Sequence, residues 1–413
     1  MFKKSKQQET VKKSVIPRNV FFMGLVSLFN DIASEMVYPI IPIFLTTVLG
    51  APMQVVGLIE GVADSTASLL KVVSGWLSDK LGQRKIFVTF GYALSTLSKL
   101  VLSFARTWHF VLGARFMDRF GKGARESARD ALIMESTEAG QRGRAYGFHR
   151  AMDSMGAVIG PLLALLLVAV YHDNYPKIFL IAFIPSLIGV LLLILFVREK
   201  RRGAEAAPVK VVLEVATVPA VKFSWKSLDK NFKLFLAVSV IFAIGNSSDV
   251  FIILRAKNLG FSLTLTILSY VLFNFAYSIF SYPAGAVADK IGSKKVLTFG
   301  FILFAAVYFA LGFINQAWLI WILFPLYGLY MALTDGVSRS YISTIVPATQ
   351  SGTAFGAYQT VVGLCAFLAS FIAGWLWNLL SPSAPFVFGG IMALIAAAVF
   401  ISFDFLKLNK KSL

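Results

Sequence analysis

Apolar residues come along this chain in long runs separated by short polar connections. A helix needs about 20 such residues to cross the hydrocarbon core of a bilayer. The pattern predicts twelve spans, at 19–49, 53–78, 86–105, 108–134, 144–171, 177–197, 232–256, 263–288, 296–314, 317–345, 352–378 and 384–405. Several are long enough to tilt. The first follows a polar, Lys-rich arm and has no small-residue cleavage site after a short apolar core, so it predicts an anchor and not a signal peptide. The long polar stretch, 198–231, opens on Arg198, Lys200, Arg201 and Arg202 and divides six runs from six. The expected organisation is an arm (1–18), a first set of six helices (19–197), a linker (198–231) with an amphipathic piece around Phe223–Leu234, a second set of six (232–405) and a short tail (406–413).

Composition sharpens the class. Of 413 residues, 57% are hydrophobic and 15% charged, where soluble domains run at about 45–50% and 25%. An all-α integral membrane protein is expected, and a soluble multidomain one is excluded. One Cys and three His cannot build a disulfide framework or a structural zinc site, so neither metal nor cofactor is expected. The net charge of +18 would point to nucleic acid in a soluble protein. Here the basic residues sit between the apolar runs, which excludes that reading. Lys3, Lys4, Lys6, Lys12, Lys13 and Arg18 make the arm basic, and Lys80, Arg84, Lys85, Lys290, Lys294, Lys295, Lys407, Lys410 and Lys411 follow on the same side. On the other side only Arg106, Lys177 and Lys257 break the rule. Positive charge stays in the cytoplasm. The expectation is a multi-pass, monomeric protein of a bacterial inner (plasma) membrane, with both termini cytoplasmic.

The two halves repeat. GWLSDKLGQRK at 75–85 returns as GAVADKIGSKK at 285–295, shifted by 210. Leu49-Gly50 returns as Leu259-Gly260, Arg129 as Arg339, and Gln141, Gly143, Ala145 and Gly147 as Gln350, Gly352, Ala354 and Gly356. A duplicated six-helix unit points to a transporter with its solute between the halves near mid-membrane.

The G-x-x-x-D-x-x-G-x-R/K-R/K loop after the second span (Gly75, Asp79, Gly82, Arg84, Lys85), with its degenerate copy at Gly285, Asp289 and Gly292, resembles the signature loop of the major facilitator superfamily. The resemblance covers essentially the whole chain. It implies two six-helix bundles related by pseudo-two-fold symmetry, rocking to give alternating access. On its own chemistry, Gly75 and Gly82 allow close approach and a tight turn, Asp79 can sit at a helix N-terminus, and Arg84 and Lys85 can pair with carboxylates or anionic lipid. These residues, with Arg129 and Arg339, are the expected conformational gate. Gly147, Gly156, Gly160 and Pro161 follow G-x8-G-x3-G-P and resemble the motif of the drug:proton antiporter branch, although the Gly pair that follows in that branch is replaced by Ala164 and Leu165. Glycines on one face permit close helix contact, and Pro bends the helix.

Ionisable groups inside a span are costly and mark function by default. The fourth span carries Arg115, Asp118, Arg119, Lys122, Arg125, Glu126, Arg129 and Asp130, a cationic stripe at helical spacing that cannot face lipid. Arg115 resembles the fourth-helix arginine that assists proton transfer in the superfamily; Arg119 stands where the family has Gly, and either could take the role. The first span carries Asn30, Asp31, Ser34 and Glu35. Asp31 lies about 18 Å from the basic end of the helix, near mid-membrane. It shares a face with Glu35, and two such close carboxylates should not both ionise without a cation between them. Asp31, Glu35, Arg115, Asp118 and Arg119 are therefore the proton-coupling candidates. Asn30, Ser34, Lys122, His149, Arg150, Asp153, Asn246, Asp249, Asn274, Asp335 and Gln359 are candidates for the solute cavity.

There is no G-x-x-x-x-G-K-[ST] loop for ATP, nor an H-E-x-x-H or Ser/His/Asp pattern, so neither ATP-driven transport nor an enzyme is expected. What remains is a secondary transporter of a small organic solute, proton-coupled, with export by antiport as the leading reading. Uptake of an anionic solute, such as a carboxylate metabolite or a siderophore, is the alternative that the cationic stripe motivates. A non-transporting receptor and a lipid flippase are further alternatives.

Overall fold

The structure is a computed structural model that describes residues 16–81, 83–138, 141–172, 174–199, 230–347 and 351–409. Most of the arm and of the linker, with the first part of the expected amphipathic piece, lies outside these residues.

The helices are α1 (Arg18–Val48), α2 (Met53–Leu81), α3 (Arg84–Ser103), α4 (Trp108–Glu135), α5 (Arg142–Tyr171) and α6 (Tyr175–Phe196) in the first half. The second half holds α7 (Lys230–Asn258), α8 (Leu263–Ile291), α9 (Ser293–Phe313), α10 (Ala317–Ile345), α11 (Ser351–Leu379) and α12 (Ala384–Asn409). Among the described residues, ten helices are long and apolar enough to cross a membrane. α2 and α4, at 29 and 28 residues, have the length and not the composition, because their charges dilute the apolar run.

Two helices are interrupted at matching places. In α1 the regular turns stop at Val37, and Tyr38–Ile40 form a bend at Pro39, which lacks the N–H to continue the ladder. The chain resumes at Ile41 and closes in a π-helical turn, Phe44–Val48. In α7 the helix stops at Gly245 and restarts at Val250, leaving Asn246–Ser248 irregular and Asp249 in a turn. Shifted by 210, the second break falls at 36–39 and overlaps the first at 38–39. The repeat is also visible in the backbone where each interrupted helix ends: Gly50 and Gly260 have φ of +62° and +99°, a region open to Gly and strained for other residues.

The helices pack closely within each half, and α2 packs on α11 of the other half as closely as on its own neighbours. α1 lies on α5 and α6, and α4 on α2 and α3; in the second half α10 lies on α8 and α9, and α12 on α7 and α9. The halves meet along α2–α11 and α5–α8, two contacts that exchange under a shift of six helices. Glycine sets the approach of α5 to α1: a Cβ on Gly156 would lie 2.7 Å from the Cβ of Asp31, and one on Gly160 2.7 Å from that of Glu35. Gly147 has nothing within 4 Å of such an atom, so only two glycines of the motif serve that contact. At the end of the molecule away from the Lys- and Arg-rich connections, Phe44, Phe251, Leu254, Phe261 and Trp377 belong to one apolar core that joins the halves.

Candidate functional site

Between the halves lies a cavity of about 650 Å³. The first half supplies Asp31 and Glu35 from α1 and Arg119 and Lys122 from α4; the second supplies Asp249 from α7 and Tyr270 from α8. The α7 break lines it too, which fits the rule that irregular backbone at membrane depth survives only where it borders a cavity or buried protein. A second cavity of about 560 Å³ shares Lys71, Glu126, Arg129, Arg150 and Asp153 with the first and reaches Asp130, Asp289 and Ser340 at the basic helix ends. The two form one path that opens at the basic end and is closed at the other by the apolar core.

The cationic stripe of α4 is largely matched inside its own half. Arg115 is buried and grips Glu60 of α2 with both arms of its fork, Nε to Oε1 at 3.0 Å and Nη2 to Oε2 at 2.5 Å. Lys99 of α3 donates to Asp118 at 2.7 Å and to the Ser34 hydroxyl at 3.0 Å. Lys71 pairs with Glu126, and Lys122 stands 3.9 Å from the other oxygen of that carboxylate. Arg125 donates to the Ser95 hydroxyl at 2.6 Å and lies over the Tyr92 ring at 4.4 Å. Arg129 turns to its neighbour Asp130. Arg119 comes no nearer than 4.0 Å to Asp64, and its Nε is buried without a hydrogen-bond partner.

The carboxylates that line the cavity from α1 and α7 are differently placed. Among the described residues, Asp31 has neither an ion pair within 4.0 Å nor a hydrogen bond. Glu35 accepts a hydrogen bond from the Tyr270 hydroxyl at 3.0 Å, across the halves. Asp249 accepts one from Tyr327 at 2.7 Å. Among the described residues, neither has a cation within 4.0 Å.

Other expected cavity residues divide. Arg150, Asp153, Asn246, Asn274 and Gln359 line the main cavity, while His149 and Asp335 line its mouth. His149 lies 3.5 Å from Asp153. Asp335 accepts from Tyr277 at 2.9 Å and stands 3.5 Å from Arg339. Asn30 is buried against α6, where the Ser186 hydroxyl donates to its Oδ1 at 3.4 Å. Ser34 is held by Lys99, so neither it nor Asn30 borders the cavity. Of the gate residues, Arg84 bonds the Ser78 hydroxyl at 2.8 Å and lies 3.5 Å from Glu135. Lys85 donates to the Ile194 carbonyl. All of these contacts stay within the first half. Gly75 lies against Ser127, and Gly292 turns with φ of +96°. Gly82 and the side chain of Asp79 lie outside the described residues.

Glu60, Asp64, Lys71, Lys99, Tyr38 and Tyr270 are the participants that sequence reasoning missed. The signal for the first four was present: each is an ionisable residue within an apolar run, and Glu60, Asp64 and Lys71 fall on one helical face.

Comparison with known proteins follows the same line. A sequence model of the Major Facilitator Superfamily matches residues 23–268 and 234–411. An uncharacterized MFS-type transporter of Methanocaldococcus jannaschii is 37% identical over 94% of this chain and 95% of its own. A class B tetracycline resistance protein of Escherichia coli is 22% identical over 72% of this chain and 73% of its own. Among solved structures, a POT family transporter in complex with a thioalcohol-conjugated peptide superposes with a TM-score of 0.76 at 12% identity, covering 94% of this chain and 98% of its own. A nucleoside transporter gives 0.75 at 10%, covering 93% and 99%. At such identities the two structures speak for the fold alone.

Proposed function

Since the chain belongs to the major facilitator superfamily, a family of membrane transporters and not of enzymes, we propose that it is a proton-coupled secondary transporter that exports a small organic solute by alternating access. In this reading α2 and α4 cross the membrane with the other ten helices, giving two bundles of six about a pseudo-two-fold axis. The exchange of the α2–α11 and α5–α8 contacts and the paired breaks in α1 and α7 support it. The basic end faces the cytoplasm, so the cavity is open inward. Export is favoured by the likeness to a tetracycline resistance protein and to a multidrug resistance protein of Aeromonas hydrophila, which is 30% identical over 35% of this chain.

Asp31 carries the coupling assignment. It is a carboxylate on a cavity open to one side, with no fixed partner to hold its charge. Glu35 on its own helix, Lys122 and Arg125 of α4 and Asp153 of α5 act on it, and Asp249 lines the same cavity from α7. A proton or a solute cation arriving there changes the local balance without first breaking an ion pair. Arg119, and not Arg115, is the fourth-helix arginine free to respond, because Glu60 fills the Arg115 fork. Uptake of an anion is less supported, because Glu60 of α2 holds Arg115, Asp130 holds Arg129, and Arg119 and Lys122 stand 4.0 and 3.9 Å from Asp64 and Glu126.

The test is flux in inside-out vesicles with an imposed proton gradient read by a pH-sensitive dye. Tetracycline, ethidium and norfloxacin are added in turn. At least one should dissipate the gradient only when the chain is present, and Asp31→Asn should abolish the response while the protein stays folded. Responses unchanged in both Asp31→Asn and Glu35→Gln would overturn the assignment.

A further inference from the structure

We infer that the solute is a zwitterion of drug-like size, with its cationic end held by the carboxylates of α1 and α7 and its anionic end by Arg119 and Lys122 of α4. The inference rests on the transporter reading above and names the substrate class of that same cavity.

The cavity has a carboxylate pole with no cation in ion-pair range and a cationic pole that is only loosely held. On one side stand Asp31, Glu35 and Asp249, none with a cation within 4.0 Å among the described residues. On the other stand Arg119, whose Nε is buried without a hydrogen-bond partner and 4.0 Å from Asp64, and Lys122, which stands 3.9 Å from a carboxylate already held by Lys71. The remaining α4 cations within the first half are committed: Arg115 to Glu60, Arg125 to Ser95 and Tyr92, Arg129 to Asp130. A solute with a single positive charge would satisfy the carboxylates and leave the two cations facing its body. A single negative charge would do the reverse. Buried charge left unpaired is costly, so the solute that completes both poles is favoured over either singly charged relative.

Size and lining agree. A volume of about 650 Å³ falls within the range of small-molecule sites. Tyr38, Tyr270, Tyr327 and Tyr330 border it, and the Arg119 guanidinium already lies 6.0 Å from the Tyr38 ring centre. Such a wall suits a flat or aromatic body between the two charged ends.

The poles can be addressed separately. Lys122 can be removed without stranding Glu126, which keeps Lys71. Asp31 can be neutralised without breaking an ion pair. The experiment uses the full chain in detergent and measures binding of two matched sets by calorimetry. The first set is norfloxacin, its methyl ester and its N-acetyl derivative. The second is the dipeptide phenylalanyl-tyrosine with the same two modifications. In each set the ester keeps only the positive charge and the acyl form only the negative one.

In at least one set the zwitterion should bind ten times or more tighter than both relatives. Lys122→Met should weaken the zwitterion at least tenfold and leave the ester within twofold, and Asp31→Asn should weaken the zwitterion and not the acyl form. Equal binding within a set, preference for a singly charged form, or no binding of either zwitterion overturns the inference. If an ester binds best and its proton-linked flux still requires Asp31, the transporter reading stands and only the zwitterion falls. If a zwitterion binds as expected and no solute moves protons, the coupling reading falls alone.

Discussion

The Tyr270 hydroxyl of α8 donates to the Glu35 carboxylate of α1 across 3.0 Å, joining side chains 235 positions apart and belonging to opposite halves. A second link lies nearby, where the Ser248 hydroxyl in the α7 break stands 3.4 Å from Oε2 of Glu60. Both place a first-half carboxylate against a second-half hydroxyl, on the closed side of the cavity. Hydrogen bonds to charged groups are worth about 1.5–3 kcal/mol, enough to bias two conformers about tenfold or more.

Tyr270→Phe should therefore leave the fold intact and raise the population open at the non-basic end. Spin labels at Val48 and Leu265, both exposed there, would report it in a background where Cys365 is replaced by Ser. A longer distance component should grow in the variant. An unchanged distance distribution would show that the bond does not hold the halves together.

Breaking the Glu60–Arg115 pair should cost far more than losing Asp31. Removing one partner of a buried pair strands the other, at about 3–5 kcal/mol. Glu60→Gln and Arg115→Met should each lower Tm by many degrees, whereas Glu60→Leu combined with Arg115→Leu should recover most of the loss. Additive losses in the double variant would contradict the pairing.

The glycine motif makes a positional prediction. Gly156→Val and Gly160→Val push α5 off α1 at Asp31 and Glu35 and should cost about 1–3 kcal/mol and abolish flux. Gly147→Ala should abolish neither stability nor flux, since nothing beyond the backbone of its own helix stands within 4 Å of the added methyl. Thermal unfolding and vesicle flux on all three variants decide it.

Glu199, three residues past the end of α6, accepts from the backbone amides of Arg84 and Lys85 at 2.5 and 3.1 Å. It caps α3 with a carboxylate at the positive end of the helix dipole. Glu199→Gln should cost about 1 kcal/mol and speed hydrogen exchange at these two amides, with α4 amides unaffected. Equal exchange in both proteins would remove Glu199 from that role.

Much of this was legible in the sequence, and what was missed has physical causes. Apolar runs gave the helices within a few residues, because the lipid requirement for length is strict. The shift of 210 gave the repeat, and Gly50 and Gly260 share a backbone turn as that shift implies. The density of charge on α4 drew attention there, while its partners lay scattered: Glu60, Asp64 and Lys71 on α2, Lys99 on α3. Which helix faces which is set by packing, and no local pattern in α4 says that Arg115 meets Glu60 while the carboxylate beside Arg119, Asp64, stays 4.0 Å away. The α7 break was hidden for a similar reason. Asn246-Ser247-Ser248-Asp249 reads as a polar patch in a helix, and only the cavity beside it lets the backbone come apart.

The ion pairing of α4 has an electrical consequence. Glu60 with Arg115, Asp118 with Lys99, and Glu126 with Lys71 all join partners within the first half. When that half rocks, each of these three positive charges travels with its counter-charge, so the three pairs themselves move little net charge through the membrane field. One elementary charge crossing 100 mV is worth about 2.3 kcal/mol, so such cancellation spares the empty carrier a large voltage-dependent barrier. The current carried per cycle is then set by the charges outside these pairs, Asp31, Glu35, Arg119 and Lys122, together with what rides in the cavity.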